Sequence, residues 1–252
     1  MDVGARARQI AEWLRKSDRA GVLTGAGVST DSGMPDFRSP ASGIWQHADP
    51  SKVASIQGFR ADPLAFYAFW GERFVALGRA QPNLTHRVLA ALEARGLVRA
   101  VITQNIDGLH QRAGSRRVLE VHGSWQRTRC LTCGERYDTL RLLAELRPGE
   151  VATCTLCSGL LKPDVVLFGE ALTADFEDAE RAVSSCDLLI VLGTSLGVWP
   201  VAGLAPRAHE AGARVAIVNR DPTPVDAECD LVVHGELRDV MTRIASELDL
   251  PR

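Results

Sequence analysis

The sequence predicts an α/β fold, a mainly parallel β-sheet with helices on both faces, interrupted by a helical insert and a small metal-binding module. Three observations lead there. Short apolar, β-branched runs recur along the chain, and most are apolar at nearly every position, as strands covered on both faces are. Segments with apolar residues at helical spacing lie between some of them, and strands alternating with helices argue for a parallel sheet. Two stretches break this rhythm: residues 41–85, rich in aromatics from Trp45 to Phe74, and residues 125–160, which hold paired cysteines.

Residues 5–17 place Ile10, Trp13 and Leu14 on one face of an amphipathic helix. The strands are expected at Gly21–Thr24, Val98–Thr103, Arg117–Val121, Leu188–Leu192, Arg214–Val218 and Leu231–Val233. His86–Ala94 has Val88, Leu89, Ala91 and Leu92 at helical spacing and stops before Gly96. Phe176–Val183 and Val201–Glu210 are weaker helical patterns. The α/β domain is therefore expected to comprise 1–40, 86–124 and 161–252. Residues 41–85 form a helical insert without a strand. Residues 125–160 form the metal module, with little core character beyond their cysteines. The chain shows no repeat and no low-complexity tract.

At 252 residues the chain suits one large domain, or one domain with a smaller insert. Its 46% apolar and 24% charged content is that of a globular protein able to bury a core. A net charge of −2 gives no support for a basic nucleic-acid or membrane surface. The N-terminal MDVGARARQIAEWLRKSDRA lacks the apolar core of a secretion signal, and no apolar run is long enough to span a bilayer. A cytoplasmic location is expected.

The cysteines agree. Of six, four fall in two pairs, Cys130/Cys133 and Cys154/Cys157, in a C-x2-C-x20-C-x2-C pattern. Each pair can turn two thiolates onto one tetrahedral ion, and two such knuckles close the shell. Zinc is expected, in a structural role, because four cysteines leave no open coordination position. The other readings are ordinary buried cysteines or a redox dithiol; two matched pairs in a polar insert favour metal. Cys186 and Cys229 stand far apart in sequence.

After the first strand comes GAGVSTDSGMPDFR, Gly25 to Arg38. Gly25-Ala26-Gly27 permits a close approach of backbone to phosphate at the start of a helix. Alone it is equally a tight turn. The third glycine of a dinucleotide fingerprint is missing, since Thr30 occupies its place, and the acidic residue expected about 20 positions on is not visible. Arg214–Val218 ends instead in Asn219, which can hydrogen-bond a ribose hydroxyl without a charge.

Three further strands end in polar groups: Gln104-Asn105-Ile106-Asp107-Gly108-Leu109-His110, His122-Gly123, and Gly193-Thr194-Ser195. In an open α/β sheet, ligands bind outside the carboxyl ends of the strands, so these groups point at one crevice. His122 has an unperturbed pKa of about 6.5, suited to a general base. His86 and His110 are expected to pack or hydrogen-bond, and His47 and His209 to be solvated. Asp107 in isolation is also a turn-former.

Gly25-Ala-Gly-Val-Ser29, Gly33-Met-Pro-Asp-Phe-Arg38, Thr103-Gln-Asn-Ile-Asp107, His122-Gly123, the four cysteines, Phe168-Gly-Glu170, Gly193-Thr-Ser195 and Asn219 stand in the order seen in sirtuins. The chain resembles that family from about residue 20 to about residue 235. Jointly the motifs are specific, although each alone is not. The resemblance implies a Rossmann-like domain, a zinc module and a helical module. It implies an NAD-dependent protein-lysine deacetylase that yields free lysine, O-acetyl-ADP-ribose and nicotinamide, with NAD and acetylated protein meeting in a cleft between the modules.

By the same resemblance Phe37 shields the ribose carbon that loses nicotinamide, and Asp36 and Arg38 order the loop and the phosphates. Ile106 and Asp107 hold the nicotinamide, with Asp107 accepting from its amide. Gly25, Ala26, Gly27, Thr30, Gln104, Asn105, Gly193, Thr194, Ser195 and Asn219 complete the NAD site. His122 is the base, taking a proton from a ribose hydroxyl, and Asn105 and Asp107 join it as catalytic residues. A substrate peptide is expected to add as a strand between Val165–Glu170 and Gly197–Pro200, touching Val166, Phe168, Gly169 and Val198.

Succinyl-preferring members carry a Tyr-x-x-Arg pair, whereas Tyr67 is followed here by Trp70, so acetyl is expected over succinyl. Protein ADP-ribosyl transfer, a non-catalytic NAD-binding sensor, a zinc-ribbon nucleic-acid binder and a hydride-transferring dehydrogenase are the competing readings. The broken fingerprint disfavours the last, the acidic balance disfavours the nucleic-acid binder, and intact His122, Asn105 and Asp107 argue against the sensor.

Overall fold

The computed structural model describes residues 2–37, 43–147 and 149–251. The chain opens with α1 (Val3–Lys16) and β1 (Ala20–Thr24), then runs through α2 (Pro50–Val53), α3 (Ile56–Ala61), α4 (Pro63–Arg79) and α5 (Leu84–Ala94). It continues with β2 (Ala100–Thr103), α6 (Leu109–Arg112), β3 (Val118–Glu120), β4 (Gly123–Cys130), β5 (Arg136–Asp138), α7 (Thr139–Glu145) and β6 (Leu161–Val165). The last part holds α8 (Asp175–Ser185), β7 (Leu188–Leu192), α9 (Leu204–Glu210), β8 (Arg214–Asn219), β9 (Leu231–His234) and α10 (Leu237–Glu247).

Six strands form a parallel sheet in the order β3-β2-β1-β7-β8-β9. Its faces follow the period-2 alternation of strand side chains. Leu188, Ile190 and Leu192 of β7, with Ala216 and Val218 of β8, pack under α1, α5 and α10. Leu189 and Val191, with Val215 and Ile217, pack under α8 and α9. Both faces are covered, which is why these strands read as unbroken apolar runs. Val201–Glu210 divides into a 3-10 turn, Val201–Gly203, and α9. Helix α10 was not among the expected elements. Its Val240, Met241, Ile244 and Ala245 form the buried stripe, a helical spacing visible in the sequence.

The second sheet is antiparallel, in the order β5-β4-β6. Here the expectation of little core beyond the cysteines is corrected. Within 125–160, Trp125 and Ala152 join Cys130 and Cys154 in one buried cluster with Leu161 and Val165, just beyond the expected module, and with Phe59, Phe66, Tyr67, Trp70 and Phe74 from the helical stretch. Phe74 stacks on Trp125 at 6.2 Å and on Trp70 at 5.8 Å. The cysteine module and the helical stretch thus share a core. Each is too short to close a core alone.

In the large sheet β2 follows β1 on one side, while β7 pairs on the other. The order reverses at β1, which opens a crevice at the carboxyl ends of β1 and β7.

Candidate active site and metal centre

The loop after β1 explains its own glycines. Gly27 N–H donates to the Gly193 carbonyl at 2.8 Å and Gly25 N–H to that of Leu192 at 3.1 Å. A Cβ on Gly25 would come within 2.6 Å of Thr194 Cβ, one on Gly27 within 2.9 Å of Gly193 Cα, and one on Gly193 within 2.6 Å of Val28 N. Gly193 also has φ 59. Two strand-end loops therefore cross backbone on backbone, which only glycine permits. The segment that follows is 3-10, Ala26–Ser32, and not a regular helix, with the Thr30 hydroxyl donating to Gly27 O at 2.9 Å.

The segment after β2 is locked by side chains. Asn105 Nδ2 donates to Gly25 O at 3.0 Å and to Ser29 Oγ at 3.2 Å. Ser29 Oγ in turn donates to Asp107 Oδ2 at 2.6 Å, and Leu109 N–H to Asp107 Oδ1 at 2.9 Å. Burial pushes the Asp107 carboxyl above the usual range, against the pull of these two donors. Asp107 is thus both a turn-former and a buried acceptor. Gln104 Nε2 donates to Thr194 Oγ1 at 2.9 Å, which joins the β2 and β7 loops.

His122 follows β3, with Nδ1 2.9 Å from the Gln104 carbonyl. A carbonyl only accepts, so Nδ1 carries the proton and Nε2 is the free base. Burial lowers its pKa, and the Gln104 contact opposes this. Gly123 has φ 78, and a Cβ there would lie 2.0 Å from Asp164 O. The turn that presents His122 is therefore pressed against β6.

One cleft of about 710 Å³ unites these groups. Its wall includes Gly25, Ala26, Gly27, Thr30, Asp36, Phe37, Gln104, Asn105, Ile106, Asp107, His122, Gly193, Thr194, Ser195 and Asn219. Val166, Phe168, Gly169 and Val198 line it too. Arg38 lies outside the described residues. The Asn219 amide is turned to its own loop, with Nδ2 donating to Asp221 O at 2.7 Å, so its oxygen is the group left for a ligand. Phe37 stacks on Trp45 at 5.3 Å, and Trp45 meets Trp70 edge-on at 6.5 Å, so the Phe37 loop leans on the aromatic core.

Opposite, Val166 N–H donates to the His122 carbonyl at 2.8 Å. The Phe168 backbone is held on both sides, donating to Ala54 O and accepting from Ile56 N. The Phe168 and Trp199 side chains are 46% and 72% exposed, two large apolar groups left open beside the cleft. Sequence reasoning missed what braces this loop. Lys162 is 1% exposed, and its ammonium donates to Val165 O at 2.7 Å, Pro163 O at 3.1 Å and Glu170 Oε2 at 2.9 Å. Glu170 Oε2 also accepts Leu167 N–H at 2.9 Å. A lysine inside an otherwise apolar strand pattern was the available signal. Trp45, Trp70 and Phe74 on the cleft wall were also missed as lining; their aromaticity alone did not separate wall from core.

The four thiols of Cys130, Cys133, Cys154 and Cys157 lie within 4.8 Å of one another, at 3.5 Å for Cys130–Cys157 and 3.6 Å for Cys133–Cys154. Sulfurs at about 2.3 Å around a tetrahedral ion sit about 3.8 Å apart, whereas a disulfide needs about 2.05 Å. Backbone N–H groups of Thr132 and Cys133 point at Cys130 Sγ, and that of Leu156 at Cys154 Sγ, as in a thiolate knuckle. The cluster fits a structural zinc.

Fold and cleft together define a Rossmann-like α/β protein whose ligand crevice opens at the sheet's switch point. The Sir2 family model matches residues 25–200. NAD-dependent protein deacylase 2 of Archaeoglobus fulgidus is 47% identical over 244 residues, 96% of this chain and 95% of its own. The NAD-dependent protein deacetylase of Sulfolobus acidocaldarius is 42% identical over 242 residues, 96% of this chain and 95% of its own. Among solved structures, a Sir2 with p53 peptide and NAD+ superposes with a TM-score of 0.88 at 37% identity, covering 96% of this chain and 98% of its own. A Sir2 variant with deacetylated p53 peptide and 3′-O-acetyl-ADP-ribose gives 0.94 at 37% identity, covering 98% and 100%. The chain belongs to the Sir2 family, the sirtuins. Among the described residues no helix is long and apolar enough to cross a membrane.

Proposed function

We propose that the protein is an NAD-dependent protein-lysine deacetylase acting on acetylated proteins or peptides in the cytoplasm. One observation carries this reading: a single cleft is walled by the crossed glycine loops, the 104–107 segment, His122 and the exposed Phe168. The loops suit NAD, because Gly25, Gly27 and Gly193 let them cross closely at the carboxyl ends of β1 and β7, where an open α/β sheet binds a dinucleotide. Bound NAD supplies an electrophilic ribose carbon, from which nicotinamide leaves as the acyl oxygen attacks. Asp107 and Ile106 hold the carboxamide, and Asn105 keeps that segment on the Gly25 loop. Phe37 shields the ribose carbon from water, and Asp36 orders the loop that carries it. His122 accepts a ribose hydroxyl proton at Nε2. Thr30, Thr194, Ser195 and Asn219 orient the dinucleotide.

The acetyl-lysine enters between Val166–Gly169 and Val198, its peptide adding as a strand. Binding both reactants in one cleft replaces a bimolecular encounter with a positioned one. The cysteine-bound zinc supplies no reaction step and holds the module that carries this wall.

Tyr67 is buried with its hydroxyl donating to Leu161 O at 2.9 Å, and Trp70 Nε1 donates to Val53 O at 2.6 Å. Neither is left for an acyl carboxylate, and an unpaired buried charge is costly. Deacetylation is therefore expected to exceed desuccinylation, compared on one peptide by mass spectrometry; the reverse order would remove this pocket assignment. The function itself is tested by nicotinamide release from NAD with an acetyl-lysine peptide and with its unacetylated twin. Release confined to the acetylated peptide, matched by loss of acetyl, is expected. ADP-ribose left on protein without deacetylation would make the protein an ADP-ribosyltransferase, and NAD binding without release a sensor.

A further inference from the structure

The sheet order fixes which part of a dinucleotide meets which strand end. Asn105 and Asp107 follow β2 and His122 follows β3, the glycine loops cross at β1 and β7, and Asn219, Arg220, Gly235 and Glu236 stand at the ends of β8 and β9, all on one cleft wall. Three strand spacings separate β2 from β8, about 14 Å. With nicotinamide at the β2 end and the middle of NAD over the crossing, the adenosine ribose falls at β8 and β9. This placement rests on the reading of the cleft as an NAD site. The groups there suit a hydroxyl. Gly235 N–H donates to the Asn219 carbonyl at 3.3 Å, which ties the two strand ends. Asn219 Nδ2 donates to Asp221 O at 2.7 Å, so Oδ1 is the acceptor left for a ligand. A ribose hydroxyl can donate to Oδ1. A 2′-phosphate, mostly a dianion at neutral pH, only accepts. NADP sites answer that phosphate with a nearby arginine. Arg220 holds that position, yet its Nε lies 3.4 Å from Glu236 Oε1. Arg238 and Asp221 share the wall, so two arginines are balanced by two carboxylates.

We propose that Asn219 and the Arg220–Glu236 pair select NAD against NADP, with Glu236 as the specificity-determining residue. Asn219 offers an acceptor where a 2′-phosphate needs a donor. Glu236 acts twice. It occupies the guanidinium that would otherwise be free for the phosphate, and its own carboxylate repels a second anion beside it. The adenosine end is thereby left with no net positive charge to draw a phosphate in, although an arginine stands at the position where one is needed.

Calorimetric titration with NAD and with NADP tests it. The wild-type protein is expected to bind NADP at least about tenfold more weakly than NAD. Glu236→Gln keeps the length and hydrogen-bonding capacity of the side chain and removes its charge. It is expected to narrow the gap between the two dinucleotides about tenfold, because Arg220 is then free to bind the 2′-phosphate. Both side chains are more than half exposed, so the narrowing should shrink as salt is raised. Adding Arg220→Gln to that variant is expected to reopen the gap. Equal affinity for NAD and NADP in the wild type, an unchanged gap in Glu236→Gln, or a narrowed gap that survives the loss of Arg220 overturns the proposal while leaving the NAD site intact. Failure of the wild-type protein to bind either dinucleotide overturns the reading of the cleft, and the selection with it.

Discussion

At the scale of single residues, His122 draws its basicity from the direction of its other nitrogen. Nδ1–H is held by the Gln104 carbonyl, so the neutral ring presents a lone pair at Nε2 with no need to choose a tautomer. Burial penalises the imidazolium and moves the pKa below 6.5. The neutral form is therefore populated at every pH above that lowered value, and the active base is lost only as pH falls through it. The acid limb of kcat/KM for deacetylation should have its midpoint below pH 6.5, and His122→Ala should still bind NAD while losing about 100- to 10,000-fold in turnover. A limb above pH 6.5, or near-normal turnover by the alanine variant, would remove His122 as the base. His122 was legible in sequence because it stands at a strand end before a glycine. That Gly123 is fixed by Asp164 O, 2.0 Å from any Cβ, was not legible, since the contact comes from a strand some 40 residues on. The ring contact of His86 with His110, 4.8 Å between centroids, is hidden for the same reason: the helices that carry them meet only in the fold.

At the scale of elements, the loop from Val165 to Glu170 is shaped by β6. Lys162, on that strand, binds the two carbonyls of Pro163 and Val165 and the Glu170 carboxylate. Burial lowers its pKa, and Glu170 opposes the shift, the pattern of a charge retained by its partner. Lys162→Met should leave the carboxylate unpaired and largely buried, with 19% of its side chain exposed, and cost about 3 kcal/mol. Because Glu170 also receives Leu167 N–H, the loop would shift and the peptide KM rise, while the NAD affinity, which the proposed function assigns to the β1 and β7 loops, would hold. Denaturant melts and separate peptide and NAD titrations check this. Pairing the change with Glu170→Gln should recover part of the stability, since no charge is then left unmatched. Equal weakening of NAD and peptide would show that Lys162 supports the whole cleft and not this loop. The element boundaries themselves were largely readable: Leu188–Leu192 is the observed β7. Helix α10 was legible as well, since Val240, Met241 and Ile244 carry its buried stripe at helical spacing.

At the scale of the whole molecule, the two sheets are of different kinds. The parallel sheet is legible because each of its strands announces burial on both faces by local composition. The second half is not, because its core is assembled from residues 56–77 and 125–167, whose apolar side chains complement each other only once the chain has folded back. Cys130 and Cys154 belong to that core as well as to the metal cluster, and this carries a consequence for metal removal. Without an ion, four thiols confined within 4.8 Å have only hydrogen bonds to hold them. The knuckles should open and withdraw Cys130 and Cys154 from Phe59, Phe66 and Trp125. Chelation should therefore raise hydrogen exchange in β4, β5 and β6 and also in α3 and α4, far from the cysteines in sequence. β1, β7 and β8, buried in the other two clusters, should keep their protection. Deacetylation should be lost, since Val165 and Leu167 of the proposed substrate wall sit in the loosened core, while NAD binding falls only in part. Metal analysis beside exchange mass spectrometry decides the matter. Full activity in protein shown to be metal-free, or exchange confined to the knuckles, would separate the zinc from the shared core. Uniform loss of protection across both sheets would make the molecule one cooperative unit.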